Sequence, residues 1–190
     1  MIKAKTIVAG LGVVAGLGTS LLPLATFAAE PNGAATATVE VTITSKISMS
    51  IDKTTVSRTM TANDFNEDSK STLTVTANTA GYDITVKDNV ANHKGELVKD
   101  GTAVDDAVNI KSIANATAPT AGSGTWGLKV GNNWYAIPAN NAQANTIKTY
   151  TTGVASNDTT DVYYGFGTAP NQPTGTYSAE IVYEAIEHSA

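Results

Sequence analysis

The residues Asp64-Phe65-Asn66-Glu67-Asp68 set out side-chain oxygens with the D-x-N-x-D spacing that opens a calcium-binding loop. The pattern then requires glycine, where Ser69 stands. Its twelfth position requires glutamate, where Val75 stands. The stretch therefore fails as an EF-hand. Asp158 and Asp161, within Ser156–Asp161, form a second oxygen-rich segment. Asp64, Asn66 and Asp68, or Asp158 and Asp161, are the calcium candidates, set against plain solvated turns. The two histidines lie apart. His93 falls in the polar run DNVANHKGE and His188 in the terminal tail, neither with a neighbour suited to metal ligation or a triad. There is no cysteine and no Gly-x-Ser-x-Gly, so nothing marks a nucleophile. The expectation is a non-catalytic chain with no cofactor.

The other chemistry available is stacking. The segment GTWGLKVGNNWYAIP, Gly124 to Pro138, holds both tryptophans, Trp126 and Trp134. An aromatic ring fills a core or, when exposed, offers a flat apolar surface with a polar edge. Trp126, Leu128 and Val130 share one face of a strand. Trp134 and Ala136 begin the partner strand after Gly131-Asn132-Asn133. The rings lie across the ladder from one another or on opposite faces, depending on register. Trp126 is expected in the core and Trp134 nearer an edge and more exposed. Trp134, Tyr135 and Tyr163 are the candidate contacts for a glycan or a partner.

The elements that position these residues are strands. Ala37, Val39, Val41 and Ile43 alternate with Thr38, Glu40, Thr42 and Thr44, and the parity continues through Ile47, Met49 and Ile51. The same period recurs in Leu73, Val75 and Ala77, in Tyr82, Ile84 and Val86, in Val162, Tyr164 and Phe166, and in Tyr177 through Ala185. Period two marks half-buried strands, and threonine suits their outer faces. Asn78-Thr79-Ala80-Gly81 joins two strands, Asp100-Gly101 signals a type I′ hairpin turn, and Pro170 to Gly175 is a firm loop. No segment after the leader has helical period. The fold class expected is an all-β, antiparallel β-sandwich of about ten strands.

The N-terminus reads as an export signal. Lys3 and Lys5 precede an uncharged, mostly apolar run, and Thr26-Phe27-Ala28 supplies the small residues of a cleavage site before Ala29. The organisation expected is a signal peptide over 1–28, a flexible leader over 29–35 and one domain over 36–187. Losing Lys3 and Lys5 makes the exported chain more acidic than the net −5 of the whole. That balance disfavours nucleic acid and, once the signal is removed, anionic membrane. Export without cysteine implies a bacterial protein stabilised by its core.

On Trp126-Gly127-Leu128, the chain resembles WxL domains. Its closing segment TGTYSAEIVYEA is similar to their last strand, with Tyr177 at the tyrosine, Ile181 at the leucine, and Tyr183 and Ala185 where the second tryptophan and leucine belong. The resemblance implies a secreted, cell-surface β-sandwich that attaches to peptidoglycan or to other surface proteins, with Trp126, Leu128, Tyr177 and Tyr183 as core motif residues. Three functions are expected in turn. The first is a non-catalytic surface protein associated with the cell wall or envelope proteins. The second is a self-associating, pilin-like or surface-layer subunit that uses the N-terminal alternating run. The third is a carbohydrate-binding module.

Overall fold

The structure is a computed structural model that describes residues 38–101 and 107–188, the side chains of 68 and 69 excepted. The expected signal peptide and leader lie outside the described residues. The chain divides into two units, Met1–Thr42 and Ile43–Ala190. Of the first, residues 38–42 are described, and they carry no strand or helix.

The second unit is all-β, with no helix among the described residues. Its strands are β1 (Ile47–Ile51), β2 (Phe65–Ala77), β3 (Tyr82–Asp88), β4 (Val98–Lys99), β5 (Lys111–Ser112), β6 (Thr125–Val130), β7 (Asn133–Tyr135), β8 (Asn145–Tyr150), β9 (Ala155–Gly167), β10 (Tyr177–Ser178) and β11 (Ile181–Glu187). The larger sheet runs β1-β2-β9-β6-β5, with β7 also on β6. The smaller runs β11-β3-β8, and β10 pairs with β4 as a ribbon. Every ladder is antiparallel except the two-residue pairing of β5 with β6, which is parallel.

The two sheets close over one core, as period two dictates. Leu73, Val75 and Ala77 point inward from β2, Trp126 and Leu128 from β6, and Val162 and Tyr164 from β9. Tyr82, Ile84 and Val86 face them from β3. The chain crosses between sheets at Asn78–Gly81, where β2 ends and β3 begins. The two long strands β2 and β9 slip register between Asn66 and Ser69 and again between Val75 and Ala77. Such irregularities bend and twist a ladder too long to stay flat.

Four sequence expectations change here. The N-terminal alternating run forms a ladder only over Ile47–Ile51, because its partner β2 stops at Ala77, where the chain turns away. The closing segment is two strands: Tyr177–Ser178 joins the β4 ribbon, and Ile181–Glu187 joins β3 in the smaller sheet. His188 is tied down, its amide donating to the Gly81 carbonyl at 3.0 Å and its ring 3.2 Å from Asp83. The turn after β6 has two residues, Gly131 and Asn132, since Val130 pairs directly with Asn133.

Candidate functional site

That two-residue turn fixes the faces of the tryptophan hairpin. With Val130 opposite Asn133, Leu128 pairs with Tyr135 and Lys129 with Trp134. Directly opposed residues of an antiparallel pair share a face. Leu128 is fully buried, so Tyr135 turns inward and packs against the core. Trp134 turns outward with Lys129. The two tryptophans therefore occupy opposite faces, and Tyr135 is withdrawn as a surface contact.

Trp126 is 3% exposed. Its indole N–H donates to the Gly95 carbonyl at 2.9 Å, and its ring lies parallel to Phe166, its cross-strand neighbour, with centroids 6.3 Å apart. Gly95 takes a left-handed φ of +77°, and a side chain there would run into the Ile137 carbonyl. Only glycine serves as this acceptor.

On the outer face, one row crosses four strands. Lys70 of β2 lies opposite Tyr163 of β9. Tyr163 lies opposite Lys129 of β6, and Lys129 opposite Trp134 of β7. Cation and aromatic alternate along it. Neighbouring strands stand ~4.8 Å apart, so the backbones that carry Tyr163 and Trp134, two strands apart, are spaced by roughly 9.6 Å. The Lys129 ammonium sits 5.7 Å from the Trp134 ring centroid, a cation–π distance, and is ion-paired with Glu67. Lys70 pairs with Asp161 at 3.0 Å, and Thr72 donates to the same carboxylate at 2.8 Å. Those hydrogen bonds, from Thr72 first and then Lys70, hold the Asp161 carboxyl below its ordinary range. Beside Tyr163, an open depression of about 570 Å³ is bordered by Gly131, Asn132, Lys148 and Asp161, among others.

Glycines set the height of this surface. Gly127 and Gly165 face each other across β6 and β9. A side chain on Gly165 would collide with the Trp134 six-membered ring and with Pro119. One on Gly127 would collide with Ile113. The missing side chains let Trp134 and the chain from Ile113 to Pro119 lie down on the sheet. The Ala116 amide donates to the Trp134 carbonyl at 3.0 Å and fastens the two together. Trp134 is half-buried as a result, one face on the sheet.

The remaining candidates are dispersed. Tyr183 is half-buried and packs against the core, with its hydroxyl 3.1 Å from that of Tyr164. Burial first, and then Tyr164, pushes its hydroxyl well above the ordinary value. Tyr177 also packs against the core and donates to the Pro173 carbonyl at 2.7 Å. Asp64 accepts from the Phe65 amide at 2.8 Å, Asn66 lies on β2, and the Asp68 side chain lies outside the described residues. Asp158 and Asp161 face opposite ways, the first opposite inward Val75 and the second opposite outward Thr72. Asp158 instead spans the sandwich. It accepts from the Tyr82 hydroxyl and, at 2.6 Å, from the Lys148 ammonium, both on the smaller sheet. Asp158 and Asp161, named as one alternative pair of calcium candidates, thus stand on opposite faces of β9. Among the described residues no group of three or more acidic or histidine side chains could hold a metal ion. Nor is any helix among them long and apolar enough to cross a membrane.

Lys70, Lys129, Glu67 and Gly165 did not stand out in the sequence. A glycine inside an alternating strand does signal close approach of another group, but the group it receives is set by register.

No protein-family model, curated protein or solved structure matches the chain.

Proposed function

We propose that the chain is a non-catalytic, exported surface protein that associates with the cell wall through the outer face of its larger sheet. The observation that carries this reading is the row Lys70–Tyr163–Lys129–Trp134. Aromatic faces stack against the apolar faces of sugar rings, and ammonium groups donate to hydroxyls and to acidic substituents between them. The Trp126-Gly127-Leu128 motif supports a WxL-like architecture, but Trp126 and Leu128 are buried. Their part is packing, and wall contact falls to the outer face.

The test is retention on purified, protein-free peptidoglycan. The intact chain and a Thr74→Ala variant are expected to be retained, and Trp134→Ala and Tyr163→Ala to be retained several-fold less. Retention that survives both aromatic substitutions, or that requires protein in the wall preparation, would remove the glycan assignment. The second of those results would turn the reading toward a protein partner.

A further inference from the structure

Glu96 is a carboxylate almost shut off from solvent, at 7% exposure, and it lies outside the aromatic row. Burying such a charge is costly unless it is paired and hydrogen-bonded. Both of its oxygens are occupied. The Lys111 ammonium donates to Oε1 at 2.9 Å, and the Asn109 side-chain amide donates to Oε2 at 3.1 Å. Asn109 is itself 6% exposed, and its side-chain carbonyl accepts from the Lys99 backbone amide at 3.2 Å. Lys111 reaches in from the surface, its side chain 42% exposed.

Backbone pairing brings the three side chains together. Leu97 and Ile110, both buried, exchange hydrogen bonds of 2.9 and 3.0 Å in an antiparallel bridge. Glu96 therefore stands opposite Lys111. Asn109 and Lys111 flank Ile110 and lie on the face opposite to it. Lys111 is held further by β5, where its amide donates to the Gly124 carbonyl at 2.9 Å. The other lysine–carboxylate contacts on β9 have a different second partner. Asp161 and Asp158 each accept from a hydroxyl, of Thr72 and of Tyr82. Of these three carboxylates, Glu96 is the one that holds an amine and a carboxamide side by side.

We infer that Lys111 and Asn109 condense in the folded chain into an internal amide, through Glu96 and with loss of ammonia. The amine is the nucleophile and Cγ of Asn109 the electrophile. The carboxylate carries protons between the two nitrogens, and the Lys99 amide faces the oxygen on which charge develops. Lys111 first passes one proton to Glu96. The freed lone pair then bonds to Cγ, while the carbonyl π pair moves onto Oδ1. Glu96 gives its proton to Nδ2 and takes another from the attacking nitrogen. The carbonyl re-forms, the Cγ–Nδ2 bond breaks with its electron pair on nitrogen, and ammonia departs. No outside reactant is needed: an ammonium, a carboxylate and a carboxamide become a substituted amide, a neutral Glu96 acid and ammonia.

Two features favour the step. Amine and carboxamide are already held on one carboxylate, so their encounter loses little further freedom. The product also leaves Glu96 neutral, and a neutral acid is far easier to bury than a carboxylate. The event occurs once per chain and is no turnover. The peptide bond after Lys111 then lacks the cationic side chain that trypsin-like proteases recognise, and the backbone on both sides of Ile110 is locked.

Mass spectrometry of the purified chain, incubated folded and then unfolded and digested with trypsin, tests this. Lys99, Lys111 and Lys129 bound the relevant peptides. The unaltered chain is expected to yield 100–129 uncut at Lys111 and lighter than its sequence by one ammonia. Lys111→Arg keeps a cation for Glu96 but offers no amine. Glu96→Gln keeps the shape but removes the proton carrier. Both are expected at full mass, with cleavage after position 111. A succinimide at Asn109 also loses ammonia, but it leaves Lys111 open to trypsin and persists in Lys111→Arg. Should Glu96→Gln not fold, the unaltered chain and Lys111→Arg decide. Recovery of 100–111 at full mass from the unaltered chain, an ammonia loss that survives Lys111→Arg, or linkage undiminished in Glu96→Gln would overturn the proposal.

Discussion

Trp126 and Trp134 sit close in sequence and on opposite faces of one hairpin, and their environments predict different costs of removal. Trp126 gives up a stacked neighbour, a buried hydrogen bond and its place in the core, so Trp126→Ala is expected to cost about 3–5 kcal/mol. Trp134 has one face on Gly165 and the other toward solvent. Trp134→Ala is expected to cost about 1–2 kcal/mol and to act mainly on ligand retention. Urea denaturation of the two variants checks this, and equal losses would place both rings in the core. Trp126 and Leu128 were legible as inward residues because alternation alone assigns them. Tyr135 was not. Its face depends on whether the turn before it holds two residues or three, and Gly131-Asn132-Asn133 reads either way.

At the scale of elements, the strands were legible wherever threonine alternates with aliphatics, and so were most turns. Asp100 and Gly101 both take left-handed φ angles, +51° and +71°, but β4 pairs with β10, and the strand expected directly after Gly101 falls on residues outside those described. What followed badly was extent. The N-terminal run keeps its alternation beyond the end of its partner, and a local pattern carries no information about where a neighbour stops. The closing segment alternates without interruption, yet it divides between β4 and β3, because the break at Ala179-Glu180 comes from what lies beside it. The glycines of β6 and β9 carry a prediction at this scale. Gly165→Ala is expected to lift the Trp134 ring off the sheet, costing about 1–3 kcal/mol as overpacking does. In a Trp126→Phe background the fluorescence of Trp134 should shift to the red. Unchanged emission would mean that the ring does not rest where Gly165 leaves room.

For the whole molecule, Asp158 couples the two sheets. Burial alone would raise its carboxyl, but the hydrogen bonds from Lys148 and Tyr82 and the lysine's charge outweigh burial and hold it below the usual range. The Tyr82 hydroxyl is pushed well above its ordinary value, by burial first and then by Asp158. An acid depressed in the folded state stabilises that state above its unfolded pKa, about 4 for aspartate, and the contribution is lost as pH falls through the folded value. Stability should therefore decline below about pH 4, and more shallowly in Asp158→Asn than in the unaltered chain. Parallel acid profiles would deny the tie any part in the decline. The sandwich was legible from strand period, but this link was not, since Asp158 had looked like a calcium ligand in a polar loop. The contact of Ser45 with Glu187, 3.3 Å between their side-chain oxygens, has a mechanical consequence. The chain enters β1 and leaves β11 at the same end of the compact unit. Tension applied through those two points peels Ile47 from Ala77 and Glu187 from Tyr82 first, then each following pair in turn. Strands loaded this way part like a zipper and never share the strain along their length.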